Sequence, residues 1–303
     1  MINRLIAHLL PLFPKKFIWL FSKKYIAGET IADAVRVVKD LNRQSVMSTI
    51  DILGESVNSR EEVVLYQTKY LHAIKELGNS NLPVTFSVKP TMFGLLWDFD
   101  FCYESIRKIM VNASGKNIFI RIDMESSECT DLEFRLYEKL YKEFPAHVGI
   151  VLQAYLHRTL NDLEYLKRLS QDSHPINIRL CKGIYIESQK IAFKGRREIR
   201  DNFVKCTEVM LKYGFYPALA THDKKLIGSL TELITRFGLS QEQYEFQMLL
   251  GVTPLLRQTL VEQGHRMRVY VPYGEQWFDY SIRRLQENPR MVWDIIKSFF
   301  IRD

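Results

Sequence analysis

RVYVPYGEQWFDYSIRRLQEN, residues 268–288, contains the change of period that decides how the chain is read. From Arg268 to Val271 charged and apolar residues alternate among β-branched and aromatic side chains, which is the two-residue period of a strand, and Pro272 with Gly274 then breaks it. From about Gln276 the spacing becomes helical. Tyr280, Arg283, Arg284 and Glu287 fall at i, i+3, i+4 and i+7, so a phenol, two guanidiniums and a carboxylate share one helix face. Adjacent arginines offer planar donor forks that match a carboxylate or phosphate, and Glu287 is spaced to hold one of them. The same face also reads as an ordinary solvated surface, because such pairs stabilise exposed helices by roughly 0.2–0.5 kcal/mol each.

Working outward, the strand-then-helix unit recurs. Short segments rich in β-branched residues lie at Ser45 to Ile52, Val84 to Val88, Asn117 to Ile122, Val148 to Leu152, Asn177 to Cys181, Tyr216 to Ala220, Tyr244 to Met248 and Arg268 to Val271. Their centres are roughly 25 to 40 residues apart, the spacing of strands joined by crossover helices. Amphipathic stretches between them, such as Leu132 to Phe144 and Asp201 to Tyr213, supply the helices. Eight such units predict an α/β fold, a (βα)8 TIM-type barrel over 44–303, with 1–43 as a helical segment packed on it.

Composition agrees. The chain has 303 residues, 47% hydrophobic and 25% charged, enough for one large barrel and its core and incompatible with global disorder. A net charge of +7 allows an acidic partner. The basic residues are scattered, with no zinc-finger spacing and no aromatic RNA-binding signature, so no nucleic-acid partner is expected. Cys102, Cys129, Cys181 and Cys206 show no close paired spacing, which points to reduced thiols in the cytoplasm, with no disulfide and no metal site.

The opening MINRLIAHLLPLFPKKFIWLFSKKYIAG is the compositional outlier. Prolines and lysines interrupt it before any span of about 18 apolar residues can form, and it lacks the clean apolar core and cleavage site of a secretory signal. Two short helices packed on the domain account for it. An interfacial anchor on the inner face of a membrane is the alternative, because aromatic and aliphatic residues alternate with lysines.

Most of the predicted strands end on a polar group: Asp51, Lys89, Asp123, Gln153, Lys182, Thr221 with His222, and Gln247. In a barrel those ends lie on one face, where active sites of this fold are built. Singly, each has a plainer account, as a helix cap, a satisfied core amide or a snorkelling lysine.

The segments FSVKPT (86–91), IRIDME (120–125), IVLQAYL (150–156), IRLCKGIYIE (178–187), ALATHD (218–223), EFQMLLGV (245–252) and the 268–288 stretch carry a resemblance. In order and across most of the chain, they resemble the proline dehydrogenases, flavoenzymes that oxidise L-proline to Δ1-pyrroline-5-carboxylate. The resemblance implies a distorted barrel that holds FAD noncovalently over the strand C-termini, and no Gly-x-Gly-x-x-Gly loop is needed there.

On this resemblance Arg283, Arg284 and Lys89 would bind the proline carboxylate, and Glu287 would orient one arginine. Tyr185, Leu249, Tyr270 and Tyr280 would shape the pocket around the pyrrolidine ring. Asp123 would hold Lys89 or an arginine within the basic cluster. The flavin would meet Met124 through its backbone, with Gln153, Arg179, Lys182, Gly183, Thr221, His222 and Gln247. Arg179 would stabilise the negative charge that develops when the ring accepts a hydride. Asp123 and Arg179 are therefore the residues expected to carry the chemistry, and a membrane quinone the expected electron acceptor.

The sequence departs from the family at Ile184, where alanine is usual, at Cys181, where valine is usual, and at Pro90 after Lys89. Two other readings stay open. One is a Schiff-base barrel built on Lys182, which leaves Arg179, Gln153 and His222 without roles. The other is a flavin-free scaffold, which gives the polar cluster no physical purpose.

Overall fold

The computed structural model describes residues 15–54, 57–170 and 174–287. Eight parallel strands close into a barrel in chain order. They are β1 (Met47–Ile52), β2 (Val84–Val88), β3 (Phe119–Ile122), β4 (Val148–Gln153), β5 (Asn177–Cys181), β6 (Tyr216–Ala220), β7 (Glu245–Leu249) and β8 (Met267–Tyr273). The closing seam pairs Met47 with Arg268 and continues to Ile52 with Tyr273. Around the strands run α1 (Lys15–Ser22), α2 (Ile31–Asn42), α3 (Arg60–Gly78), α4 (Phe99–Ser114), α5 (Thr130–Glu143), α6 (Thr159–Leu169), α7 (Arg196–Lys212), α8 (Lys224–Arg236), α9 (Pro254–Glu262) and α10 (Trp277–Glu287).

The barrel forms because the strands are buried on both faces and the helices on one. Ile50, Phe86, Ile120, Leu152, Leu180, Leu219, Phe246 and Val269 are fully buried and belong to one continuous core cluster. Side chains satisfy the first amides of several helices: Thr30 accepts from Asp33 N–H at 3.2 Å, Ser59 from Glu62 N–H at 3.2 Å and Asp98 from Phe101 N–H at 3.0 Å.

Several boundaries differ from the sequence reading, four of them for reasons visible in the structure. β1 and β3 begin at Met47 and Phe119 because Ser45 and Asn117 take left-handed conformations, with φ of +59° and +54°, which turn the chain before the strand. β8 continues through Pro272, the predicted break. Pairing with β7 ends at Leu249 and Tyr270, so no β7 partner awaits the N–H that Pro272 lacks. Its carbonyl meanwhile accepts Ala27 N–H at 2.9 Å. Finally, α7 starts at Arg196, five residues before Asp201, because Glu198 reaches back to Gly195 N–H at 2.9 Å and caps it.

Residues 1–14 of the predicted interfacial segment lie outside the described residues. From α1 onward the chain packs against α10: Ile18, Ile26, Leu53, Trp277 and Ile282 form a small cluster, with Trp19 edge-on to Trp277 at 4.8 Å between ring centroids. Among the described residues, no helix is long and apolar enough to cross a membrane.

Candidate functional site

The C-terminal ends of the strands surround a cavity of about 310 Å³, within the range that holds a small organic ligand. Its central wall is one carboxylate. Asp123, directly after β3, accepts Arg179 Nη1 at 2.8 Å on one oxygen and Tyr270 O–H at 2.8 Å on the other. Arg179 also donates Nε to Gln247 Oε1 at 2.6 Å and Nη1 to Ser87 Oγ at 3.1 Å. Its guanidinium lies 5.1 Å from the centroid of the Tyr270 ring, a cation–π arrangement. Burial, and then the neighbouring Asp123, push the Tyr270 phenol well above its usual pKa, so it remains a donor.

A second ion pair joins the ends of β1 and β2. Lys89 Nζ contacts Asp51 Oδ1, and Asp51 is 1% exposed. Burial lowers the Lys89 pKa, but Asp51 and Asp123 more than offset it and hold it above the ordinary lysine value. Lys89 therefore stays a cation. Pro90 opens a short 3₁₀ turn, Pro90–Phe93, and Thr91 in that turn donates N–H and Oγ–H to Glu125 at 3.0 and 2.6 Å. Burial raises the Glu125 carboxyl above the usual carboxylate range.

On the β5–β6 side, Lys182 Nζ meets Asp223 at 2.5 Å and Arg200 approaches the same oxygen at 3.4 Å. Asp223 also caps α8 through Lys225 N–H at 3.1 Å. His222 Nε2 accepts Leu249 N–H at 2.9 Å, which leaves Nδ1 as the site of the imidazole proton. Gly183 has φ +100°, and a Cβ there would lie 2.0 Å from the Tyr155 ring. Only glycine lets Lys182–Gly183 turn so close to that ring. Burial also pushes the Tyr185 phenol well up.

Of the residues singled out from sequence, Lys89, Asp123, Met124, Arg179, Lys182, Gly183, Tyr185, His222, Gln247, Leu249, Tyr270 and Tyr280 line this one cavity. Gln153 and Thr221 stand behind its wall. Gln153 donates to the carbonyls of Met124 and Glu125 at 3.2 and 2.8 Å, and Thr221 Oγ accepts Asp223 N–H at 3.1 Å. The backbone of α10 carries Arg283, Arg284 and Glu287, whose side chains lie outside the described residues. Asp123 holds an arginine, as expected, while Lys89 takes Asp51 instead. Asp51 was named as a polar strand end but given no role or partner, and Glu125 and Asp223 were missed as parts of the site. The signal for the last two was present in the quoted motifs IRIDME and ALATHD, whose final residues they are. Ile184 lines the cavity mouth and is 49% exposed.

The donors and acceptors fit a flavin. Arg179, which lines the cavity, has a buried Nη2 with no hydrogen-bond partner, a cationic donor suited to a ring that offers carbonyl oxygens. Among the described residues, no group of acidic, histidine or cysteine side chains could hold a metal.

Comparison with known proteins gives one family. The family described as Proline dehydrogenase matches residues 34–293. Proline dehydrogenase 2 of Bacillus subtilis (strain 168) is 36% identical over 269 residues, covering 89% of this chain and 87% of that protein. Proline dehydrogenase of Deinococcus radiodurans is 32% identical over 284 residues, covering 92% and 90%. Among solved structures, proline utilization A from Bdellovibrio bacteriovorus inactivated by N-propargylglycine superposes with a TM-score of 0.82 at 27% identity, over 89% of this chain and 32% of that longer one.

Proposed function

Because the chain belongs to the proline dehydrogenase family, and so is an oxidoreductase, we propose that it oxidises L-proline to Δ1-pyrroline-5-carboxylate with FAD as its cofactor. This is the first step of proline catabolism. The observation that carries the reading is the node of Arg179, Asp123 and Tyr270 on the cavity wall, a buried cation with one donor unspent. FAD held by these residues would supply the two-electron acceptor, at its N5, for the hydride that leaves C5 of proline. Every other part of the reaction falls to the protein.

Arg179 provides a fixed positive charge where negative charge develops, and Asp123 keeps that guanidinium from turning away. Met124, through its backbone, Gln153, Lys182, Gly183, Thr221, His222 and Gln247 form the remaining shell toward the cofactor. Lys89, kept charged by Asp51, takes the proline carboxylate together with Arg283 and Arg284, and Glu287 orients one of that pair. Tyr185, Leu249, Tyr270 and Tyr280 wall the ring and exclude water. The clamp fixes C5 in place, so catalysis rests on orientation. The cations around the bound amino acid disfavour its ammonium form, and the proton leaves without a dedicated base.

The Schiff-base reading needs Lys182 as a neutral nucleophile. Its Nζ is engaged by Asp223 at 2.5 Å, not presented free to attack a carbonyl, which counts against that reading. We further propose a quinone as electron acceptor, with the cytoplasmic enzyme docking peripherally on the membrane through its N-terminal segment.

The visible absorption spectrum of the purified protein, followed by L-proline under anaerobic conditions, tests the central claim. Flavin bands that bleach are expected. Bands that persist would remove proline as the substrate, and a colourless protein that FAD cannot reconstitute would remove the whole reading.

A further inference from the structure

A single line of polar contacts runs from the cavity wall down the inside of the barrel. Arg179 on β5 donates Nε to Gln247 Oε1 at 2.6 Å, and the same amide donates Nε2 to Glu245 Oε1 at 2.5 Å. Glu245 is held in turn by Arg268 of β8, through Nε at 2.8 Å and Nη2 at 3.1 Å. All four residues are buried, none more than 8% exposed. Glu245 and Gln247 are two apart on β7, so both point to the same face. Arg121 backs the layer, donating to the Ile150 and Asn177 carbonyls at 3.2 and 3.1 Å.

The chemistry of the end groups dictates the middle one. A guanidinium can only donate, and an ionised carboxylate can only accept. Despite its burial, Arg268 draws the Glu245 pKa down to about 2, so Glu245 is a carboxylate at neutral pH. An amide between the two has one stable orientation, with its oxygen toward Arg179 and its NH₂ toward Glu245. Asp123 and Ser87 take Arg179 Nη1, Gln247 takes Nε, and Nη2 is the guanidinium nitrogen left without a protein partner.

We infer that Gln247, oriented by the Glu245–Arg268 ion pair, is a positioning residue for Arg179 that fixes which edge of the guanidinium faces the ligand. A neutral amide suits that task better than a second carboxylate. It pins the guanidinium without cancelling its charge, so the cation keeps its full effect on the bound ring. Asp123 supplies the charge balance and Gln247 supplies the angle. Without Gln247 the Nε donor is buried unsatisfied and the guanidinium turns to find an acceptor, which takes Nη2 from its place. The inference rests on the proposal that FAD binds here.

The test compares the FAD-loaded parent with Gln247→Met, which keeps the side-chain length and removes both hydrogen bonds. The cofactor's reduction potential, set by dye equilibration, should move to more negative values. At the same time kcat for proline should fall about tenfold while KM changes less than about threefold, because the lost interaction acts on the transition state. A Gln247→Met protein that melts earlier but keeps the parent's potential and kcat would assign Gln247 a purely structural role and overturn the inference. If that variant does not fold, the charge-neutral Glu245→Gln/Arg268→Gln pair decides by the same potential. It leaves the Gln247 amide free to flip, so a smaller shift of the same sign is expected and an unchanged potential overturns the inference. A parent protein that binds no FAD fails at the earlier step and is recognised as such before any variant is measured.

Discussion

Asp123 and Arg179 are 56 residues apart in the chain and 2.8 Å apart on the cavity wall, brought together because β3 and β5 flank β4 in the closed barrel. The other oxygen of the same carboxylate takes the Tyr270 hydroxyl from β8. One side chain thus orients a cation and an aromatic wall from two other strands.

Asp123→Asn keeps an acceptor but removes the charge. The amide can satisfy Arg179 or Tyr270 less well than both, and Arg179 loses its balancing partner. The expected result is a fall in kcat/KM for proline of about 10- to 100-fold, roughly 1.4–2.7 kcal/mol of transition-state stabilisation. Steady-state kinetics check it. A variant within threefold of the parent would show that the carboxylate is dispensable.

Lys89 and Asp51 should behave as a coupled pair. Lys89→Met leaves the Asp51 carboxylate, 1% exposed, without its cation, which should cost about 3 kcal/mol of stability. The double variant Lys89→Met/Asp51→Asn should recover at least half of that loss, because no buried charge is then orphaned. Proline KM should rise in both, since neither presents the cation. A thermal or denaturant melt of all four forms measures the coupling, and strict additivity would argue against it.

Gly183→Ala meets two obstacles, a φ of +100° and a Cβ 2.0 Å from the Tyr155 ring. The backbone term alone is about 1–3 kcal/mol. FAD affinity should drop with stability, as the turn after β5 shifts. Gly183→Ala/Tyr155→Ala removes the clash but keeps the strained φ, so titration of the apoprotein with FAD should show partial recovery. Full recovery would mean that φ is not limiting.

The Glu245–Arg268 pair makes stability depend on acid. Glu245 is drawn down to about 2 in the folded protein from 4.5. The folded state therefore holds fewer protons than the unfolded state between those values, and stability is lost as pH falls through that window. A shift of that size corresponds to about 3 kcal/mol. Melting midpoints between pH 5 and pH 2 should fall less steeply in Glu245→Gln than in the parent, although the variant is less stable at pH 7. Parallel curves would place the acid sensitivity elsewhere.

Much of this was legible in the chain before folding. Period-two segments alternating with helical ones specify a (βα)8 barrel, because strands of that spacing can pair in parallel only through crossover helices. The polar ends of those strands had to meet on one face, and the motifs around Lys89, Asp123, Arg179 and Lys182 marked the face correctly. Local rules also set where they failed: Pro272 reads as a break, yet β8 runs through it because β7 has already ended. What no local pattern contained was partnership. Lys89 takes Asp51 and not Asp123, Arg179 takes Asp123, Gln247 and Ser87, and Lys182 takes Asp223. Periodicity says which face a side chain is on. Which acid meets which base is settled by barrel closure and strand register, which bring side chains from distant parts of the chain within hydrogen-bonding distance of one another.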